Sequence, residues 1–212
     1  MDGVLVDSED AMKTTSIESL KRFGINPVKD DFIEFTGMGE DAFIGGVAGK
    51  YGLEYNTEMK DYAYMLYVEK ARELVYVYPG VRDIIAGVKR KGCKIAVASA
   101  ADLIKVRTNL ACIGIDESVF NGFVTGSDVT HKKPDPEIFL MAAAHIGVDP
   151  ENCLVLEDAK SGIAAAKSAG MSCIGITTAF THDELCDTEA DYVVDDIQNA
   201  LSCIDKWIKS NS

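Results

Sequence analysis

Met1-Asp2-Gly3-Val4-Leu5-Val6-Asp7-Ser8-Glu9 is the stretch whose reading decides the fold. Val4, Leu5 and Val6 are apolar, Gly3 permits backbone conformations that a Cβ resists, and Asp7-Ser8 is a helix N-cap signal followed by acids suited to a first turn. Physically this is a strand end, a sharp turn and a helix start. From Ser8 to Phe23, apolar residues at Ala11, Met12, Ile17, Leu20 and Phe23 keep helical spacing, and Gly24 ends the pattern.

Beyond Gly24 the chain changes character twice. Asp31 to Phe35, Glu40 to Tyr51 and Thr57 to Val75 read as helices separated by Gly37-Met38-Gly39 and Gly52 to Asn56, with no buried strand expected between Gly24 and Tyr78. The run Tyr55, Tyr62, Tyr64, Tyr67, Tyr76, Tyr78 is read as packing within this helical insert rather than as a ligand box. Tyr78-Pro79-Gly80-Val81 is a breaker, and after it strand and helix signals alternate. Strands are expected at Lys94 to Ala98, Phe120 to Thr125, Cys153 to Leu156, Ser172 to Ile176 and Ala190 to Val194. Helices are expected at Val81 to Lys91, Asp102 to Ile113, Pro136 to Ile146, Ser161 to Ala169 and Ile197 to Ile208. Short buried runs between helices of about ten residues mean crossover units and a parallel sheet covered on both faces. The expectation is an α/β, doubly wound parallel sheet formed by residues 1–10 and 79–212, with a helical domain, 11–78, inserted. Ligands of such sheets sit beyond the carboxyl ends of the strands.

Composition narrows the partners. A net charge of −13 and a pI near 4.6 repel a phosphate backbone or an anionic membrane face, so neither nucleic acid nor membrane is expected. A small anionic substrate remains compatible if a local cation and polarised backbone groups override the global field. The 212 residues, 47% hydrophobic, suffice for one full core and a smaller satellite, and a monomer is expected. Six cysteines without a C-x-x-C pair read as reduced, and His131, His145 and His182 are too scattered for structural zinc. No apolar run approaches the roughly 20 residues of a membrane span, and no basic-then-apolar leader opens the sequence, so a cytoplasmic location is expected.

The residues just after each strand should converge. Ser99-Ala100 follows the first expected core strand, offering a hydroxyl and the following N–H to a phosphate oxygen, or simply capping a helix. His131-Lys132-Lys133-Pro134-Asp135-Pro136 follows the second, where two prolines stiffen a basic loop that could equally be a solvated surface. Glu157-Asp158 follows the third, adjacent carboxylates that suit either a helix dipole or a metal. Each bland reading stands alone, but together they require several coincidences in one order.

That order carries a resemblance. Asp2-Gly3-Val4-Leu5-Val6-Asp7-Ser8-Glu9 resembles the second half of the first signature of the haloacid dehalogenase superfamily, in which two aspartates flank one residue before Gly-Val or Gly-Thr. Val97-Ala98-Ser99-Ala100, Lys133-Pro134-Asp135-Pro136, and Leu156-Glu157-Asp158 with Ala159-Lys160-Ser161-Gly162 resemble its second, third and fourth signatures. The helical insert resembles the family's cap, and the closest branch is the beta-phosphoglucomutase-like one.

The resemblance implies a phosphatase acting on a small-molecule phosphate ester, a sugar or polyol phosphate, with Mg²⁺ as cofactor and an aspartyl-phosphate intermediate. Asp2 becomes the general acid and base. Its backbone carbonyl, Glu157 and Asp158 become metal ligands, Ser99, Ala100 and Lys133 bind phosphate, and Lys133 also offsets the crowded carboxylates. The nucleophilic aspartate is expected immediately upstream of Met1, ending an apolar central strand. Three other readings stay open. A dehalogenase needs no second aspartate and no metal, which Asp2 and Glu157-Asp158 oppose. A phosphomutase needs cap-side His and Arg to hold a second phosphate, where Met12 and Glu40 stand instead. A non-catalytic binding protein would follow if the nucleophile is absent. Specificity is expected from cap loops around Thr36 to Gly46, among them Gly37, Met38, Gly39 and Glu40.

Overall fold

The computed structural model describes residues 1–211. Its opening residues fold tightly: the Leu5 N–H donates to the Met1 carbonyl and the Gly3 N–H to the Val6 carbonyl, both at 2.8 Å. Gly3 sits at φ +70°, and a Cβ there would stand 1.9 Å from Asp158 Oδ2. Conformation and close approach both demand glycine at this position. Strand β1 (Val6–Asp7) then leads into α1 (Glu9–Arg22).

The insert comprises α1, a 3-10 helix at Lys29–Phe35, α2 (Glu40–Lys50) and α3 (Thr57–Leu74). The 3-10 segment replaces part of an expected α-helix because the Asp31 carboxylate turns back to accept the Val28 N–H at 2.8 Å, tightening the turn just after Pro27. Leu20, Phe32, Ile44, Val47, Met59 and Tyr67 form a hydrophobic cluster belonging to these helices. Ser19 Oγ ties α1 to α3 by donating to the Met59 carbonyl at 2.6 Å. β2 (Tyr76–Val77) pairs antiparallel with β1, so the span from Gly24 to Tyr78 does contribute a strand. It is two residues long with Tyr76 exposed, too short to show a period in the sequence.

After Gly80 the elements alternate: α4 (Val81–Arg90), β3 (Ala96–Ala98), α5 (Leu103–Ile113), β4 (Gly122–Val124), α6 (Glu137–Ile146), β5 (Leu154–Glu157), α7 (Lys160–Ser168), β6 (Ser172–Ile176), α8 (His182–Cys186), β7 (Tyr192–Val194) and α9 (Ile197–Ser210). β3 pairs parallel with β4, and β5, β6 and β7 run parallel in that order. β3 starts later than expected because Ile95 bonds through both backbone groups to Asn121, side chain and main chain, instead of to a strand. α8, not foreseen, is nucleated by a capping box between Thr181 and Glu184.

Two apolar layers sandwich these strands. Val97, Ile174 and Ile176 pack with Ile84, Val106 and Ile204 of α4, α5 and α9, while Val124 and Cys173 pack with Phe139 and Ile163 of α6 and α7. Helices therefore cover both faces of the parallel strands, which is the doubly wound α/β class. Between β3 and β5 lies an apolar cavity of about 540 Å³, lined by Ala96, Ala98, Val155, Leu156, Phe139 and Met1 among others. Among the described residues no helix is long and apolar enough to cross a membrane.

Candidate active site

Asp2 is held at the carboxyl end of this architecture by three groups. Ser8 Oγ donates to Asp2 Oδ1, Asn109 Nδ2 donates to the same oxygen at 3.1 Å, and Lys105 Nζ stands 3.3 Å from Oδ2. Ser8 does occupy the N-cap of α1, yet its side chain makes no cap bond; the hydroxyl is spent on Asp2. Burial by itself would raise the Asp2 carboxyl, but the Lys105 ammonium and the Ser8 hydroxyl hold it below the usual carboxylate range. Asp2 rests as an anion.

Lys105, Asn109, Tyr64 and Tyr67 are site residues that the sequence reading missed. Lys105 and Asn109 are buried at i and i+4 on the face of α5 that also buries Val106, Leu110 and Ile113. A lysine in that phase of an apolar stripe was the available signal, because a buried ammonium needs carboxylates nearby. Burial would lower its pKa, but Asp2 and Glu40 raise it and keep it charged. Tyr67 OH donates to Asn109 Oδ1 at 2.5 Å and Tyr64 OH to Asp102 Oδ2 at 3.1 Å. Both rings pack inside the insert, as expected, while their hydroxyls reach α5 and the residue that precedes it.

Lys133, Glu157 and Asp158 form the second half of the site. Lys133 Nζ donates to Glu157 Oε1 and lies 4.8 Å from the Phe139 ring centre. Glu157 Oε2 accepts the N–H groups of Asp158 at 3.1 Å and Ala159 at 3.3 Å. Gly162 makes room for this: a Cβ there would stand 2.2 Å from Glu157 Cδ. Burial opposes ionisation of Glu157, and Lys133 with the backbone donors overcomes it, so its carboxyl lies below the ordinary value. Asp158 is the reverse case. Burial, then the Glu157 charge, push it up to about 7, and among the described residues no side chain is seen donating to it. The Met1 nitrogen is buried within reach of the charges of Asp2, Glu157, Lys133 and Asp158, so the two halves meet there.

The remaining expected residues fall at different distances from this centre. Ser99 is buried at the end of β3, its N–H donating to the Val124 carbonyl at 2.9 Å and its Oγ accepting the Ala101 N–H at 3.3 Å. Ala100 packs its carbonyl against Gly126, where a Cβ would meet it at 2.0 Å. Among the described residues neither shares a hydrogen bond with Asp2 or Lys133. In the insert, Glu40 is buried with Oε1 3.6 Å from Lys105 Nζ, whereas Met38 is 57% exposed and Gly37 and Gly39 adopt positive φ in open space. Met12 is buried in the helical cluster.

The donor set suits a hard divalent cation. Glu157 and Asp158 offer carboxylate oxygens, and burial with the Glu157 charge pushes Asp158 toward its neutral form, a condition a bound Mg²⁺ would relieve. Asp2 would add its carbonyl, so the three acids need not converge through their side chains. Nor do they: among the described residues the set whose ligand atoms lie within 4.8 Å of one another is His131, Asp135 and Glu137. There the Glu137 carboxylate already accepts the Thr130 and His131 N–H groups and serves the loop.

Parallel strands covered by helices on both faces, with Ser99 just after β3 and Glu157-Asp158 at the end of β5, suit the haloacid dehalogenase-like hydrolases, and the profile of that family matches residues 1–176. The chain belongs to this family, in its beta-phosphoglucomutase-like branch. It is 36% identical over 203 residues to Protein SUPPRESSOR OF QUENCHING 1, chloroplastic, of Arabidopsis thaliana, covering 94% of this chain but only 19% of that protein. It is 33% identical to the phosphorylated carbohydrates phosphatase of Thermotoga maritima over 81% of this chain and 79% of that one. A crystal structure of a putative beta-phosphoglucomutase from Thermotoga maritima superposes with a TM-score of 0.77 at 28% identity, covering 97% and 96% of the two chains.

Proposed function

We propose that the chain is a magnesium-dependent phosphatase acting on a small phosphate monoester of a sugar or polyol through an aspartyl-phosphate intermediate. The observation that carries this reading is the meeting of an ionised, lysine-held Asp2 with the Lys133–Glu157–Asp158 cluster at the Met1 nitrogen. The nucleophile in this reading is an aspartate joined directly ahead of Met1. A carboxylate there would sit among these groups, and an extended apolar segment before it would suit the cavity between β3 and β5.

The residues divide the work. Lys133 and the Ser99-Ala100 turn would hold the phosphoryl oxygens, and Lys133 would also gather charge that develops on them. Asp2 would protonate the departing alcohol and then deprotonate the water that hydrolyses the acyl phosphate. It rests ionised, so the acid role requires the arriving phosphate dianion to raise its pKa, as a neighbouring like charge does. Magnesium, held by Glu157, Asp158 and the Asp2 carbonyl, would supply charge neutralisation of the phosphoryl group. The helical domain 11–78 would act as a cap over this site, with hinges near Asp7 and Pro79, excluding water on closure. Six unpaired cysteines support a reducing compartment, the cytoplasm in our reading.

A phosphomutase is the second reading, and Glu40 argues against it by placing a buried acid where a second phosphate would dock. The test is a panel of phosphate monoesters assayed with and without magnesium, using a chain whose residues ahead of Met1 are established by intact mass. Magnesium-dependent phosphate release supports the proposal. Transfer of phosphate between two carbons of one sugar, faster than hydrolysis, would replace it with the mutase.

A further inference from the structure

Glu40 opens α2, where an acid is favourable and its carboxylate can take up its own backbone N–H, but neither role requires its burial. Its Oε1 lies instead 3.6 Å from Lys105 Nζ, which is itself 3.3 Å from Asp2 Oδ2. A carboxylate of the insert and the acid of the core thus share one ammonium. Around this pair the same boundary is acidic, and its other lysines are engaged: Lys132, whose charge reaches Asp41, donates to the Gly126 carbonyl. Lys60 Nζ stands 2.8 Å from Asp41 and 3.4 Å from Asp102, and Ser127 Oγ donates to Asp102 at 2.6 Å. Lys133 is committed to Glu157.

The arrangement has cationic capacity for one phosphoryl group. A second anion on the alcohol side would have to draw Lys105 from two carboxylates at once, in a closed site where repulsion is weakly screened. A neutral hydroxyl, by contrast, can donate to Glu40 without disturbing Lys105. Resting on the phosphatase reading above, we propose that Glu40 is the specificity-determining residue of this site: it admits phosphate monoesters of uncharged, hydroxyl-bearing alcohols and turns away those carrying a second phosphate or a carboxylate. Lys105 is then the positioning residue that couples this choice to Asp2.

The experiment compares sn-glycerol 3-phosphate and glucose 1-phosphate with 2-phosphoglycolate and glucose 1,6-bisphosphate. Turnover is measured with magnesium, and equilibrium binding by calorimetry in EDTA, where no turnover is expected. The wild-type chain should favour the first pair by about 100-fold or more in kcat/KM, and Glu40→Gln should shrink that ratio about tenfold, chiefly through KM for the second pair. Glu40→Ala should shrink it likewise, and a loss of fold would slow all four esters alike without changing the ratio. Equal or better use of the doubly anionic esters by the wild-type chain overturns the inference, as does an unchanged ratio in both folded variants. If no ester turns over but calorimetry shows the same preference, lost in Glu40→Gln, the selectivity stands and the phosphatase reading falls.

Discussion

Two buried carboxylate clusters meet at Met1, and they are balanced differently. Around Asp2, one lysine serves both Asp2 and Glu40, and Ser8 and Asn109 complete the shell, so the acid is an anion with its partners in place. Around Asp158, the available lysine is consumed by Glu157, and Asp158 is left with a carboxyl pushed up to about 7. A compensated cluster positions a group. An uncompensated one holds space for a cation, and the catalytic reading assigns acid-base work to the first and metal binding to the second.

The sharpest way to break this contrast is Asp158→Ala. Removing the uncompensated acid should abolish magnesium-dependent turnover, by about 1000-fold or more, and weaken magnesium binding measured by calorimetry. Unchanged magnesium affinity in this variant and in Glu157→Ala would remove the metal assignment altogether. Lys133→Ala comes next. It should cost about 100-fold in kcat/KM with magnesium still bound, because in the proposed role the lost charge gathers the phosphoryl oxygens rather than the metal.

Lys105→Met tests the compensated half. Without the ammonium, burial dominates at Asp2, so its carboxyl should rise, and the alkaline limb of the kcat/KM profile, which a group that must be protonated to expel the alcohol sets, should move to higher pH. A purely structural lysine would lower the rate without moving that limb. The Asp158 cluster has its own pH signature, read on metal-free protein. Its folded pKa of about 7 lies above the unfolded value, so the neutral acid favours folding below the unfolded value, and that advantage is lost as pH rises toward 7. Wild type compared with Asp158→Asn should therefore lose melting temperature between pH 5 and pH 8, a trend that measured melts can confirm or reverse. The smallest effect belongs to Tyr67→Phe, which removes one hydrogen bond to Asn109 and should cost about 1 kcal/mol of stability in denaturant titrations.

The same contrast explains what could be read from the sequence. Ser99, Lys133 and Glu157-Asp158 follow strands, and a strand's end is marked by a short apolar run stopping at a polar residue, so their positions after strands were legible, and Lys133 does pair with Glu157. The alternation after Pro79 was legible for the same reason. Lys105 was not, because its role depends on α5 bringing it against Asp2, 103 positions earlier, and against Glu40 from a different layer. Tyr64 and Tyr67 read as packing and do pack; only three-dimensional placement shows their hydroxyls leaving the insert. Ser8 read as a helix cap, whereas the buried Asp2 carboxylate competes successfully for its proton. β2 escaped because two residues carry no period.

The most direct measurement is chemical trapping of the intermediate. A chain with established residues ahead of Met1 is incubated with a labelled phosphate monoester and magnesium, then quenched in acid. The account predicts a burst of phosphoenzyme that is stable in acid, released by hydroxylamine, mapped to an aspartate directly ahead of Met1, and absent from Asp158→Ala. Magnesium-independent phosphate release, or turnover with the label on any other residue, would contradict it.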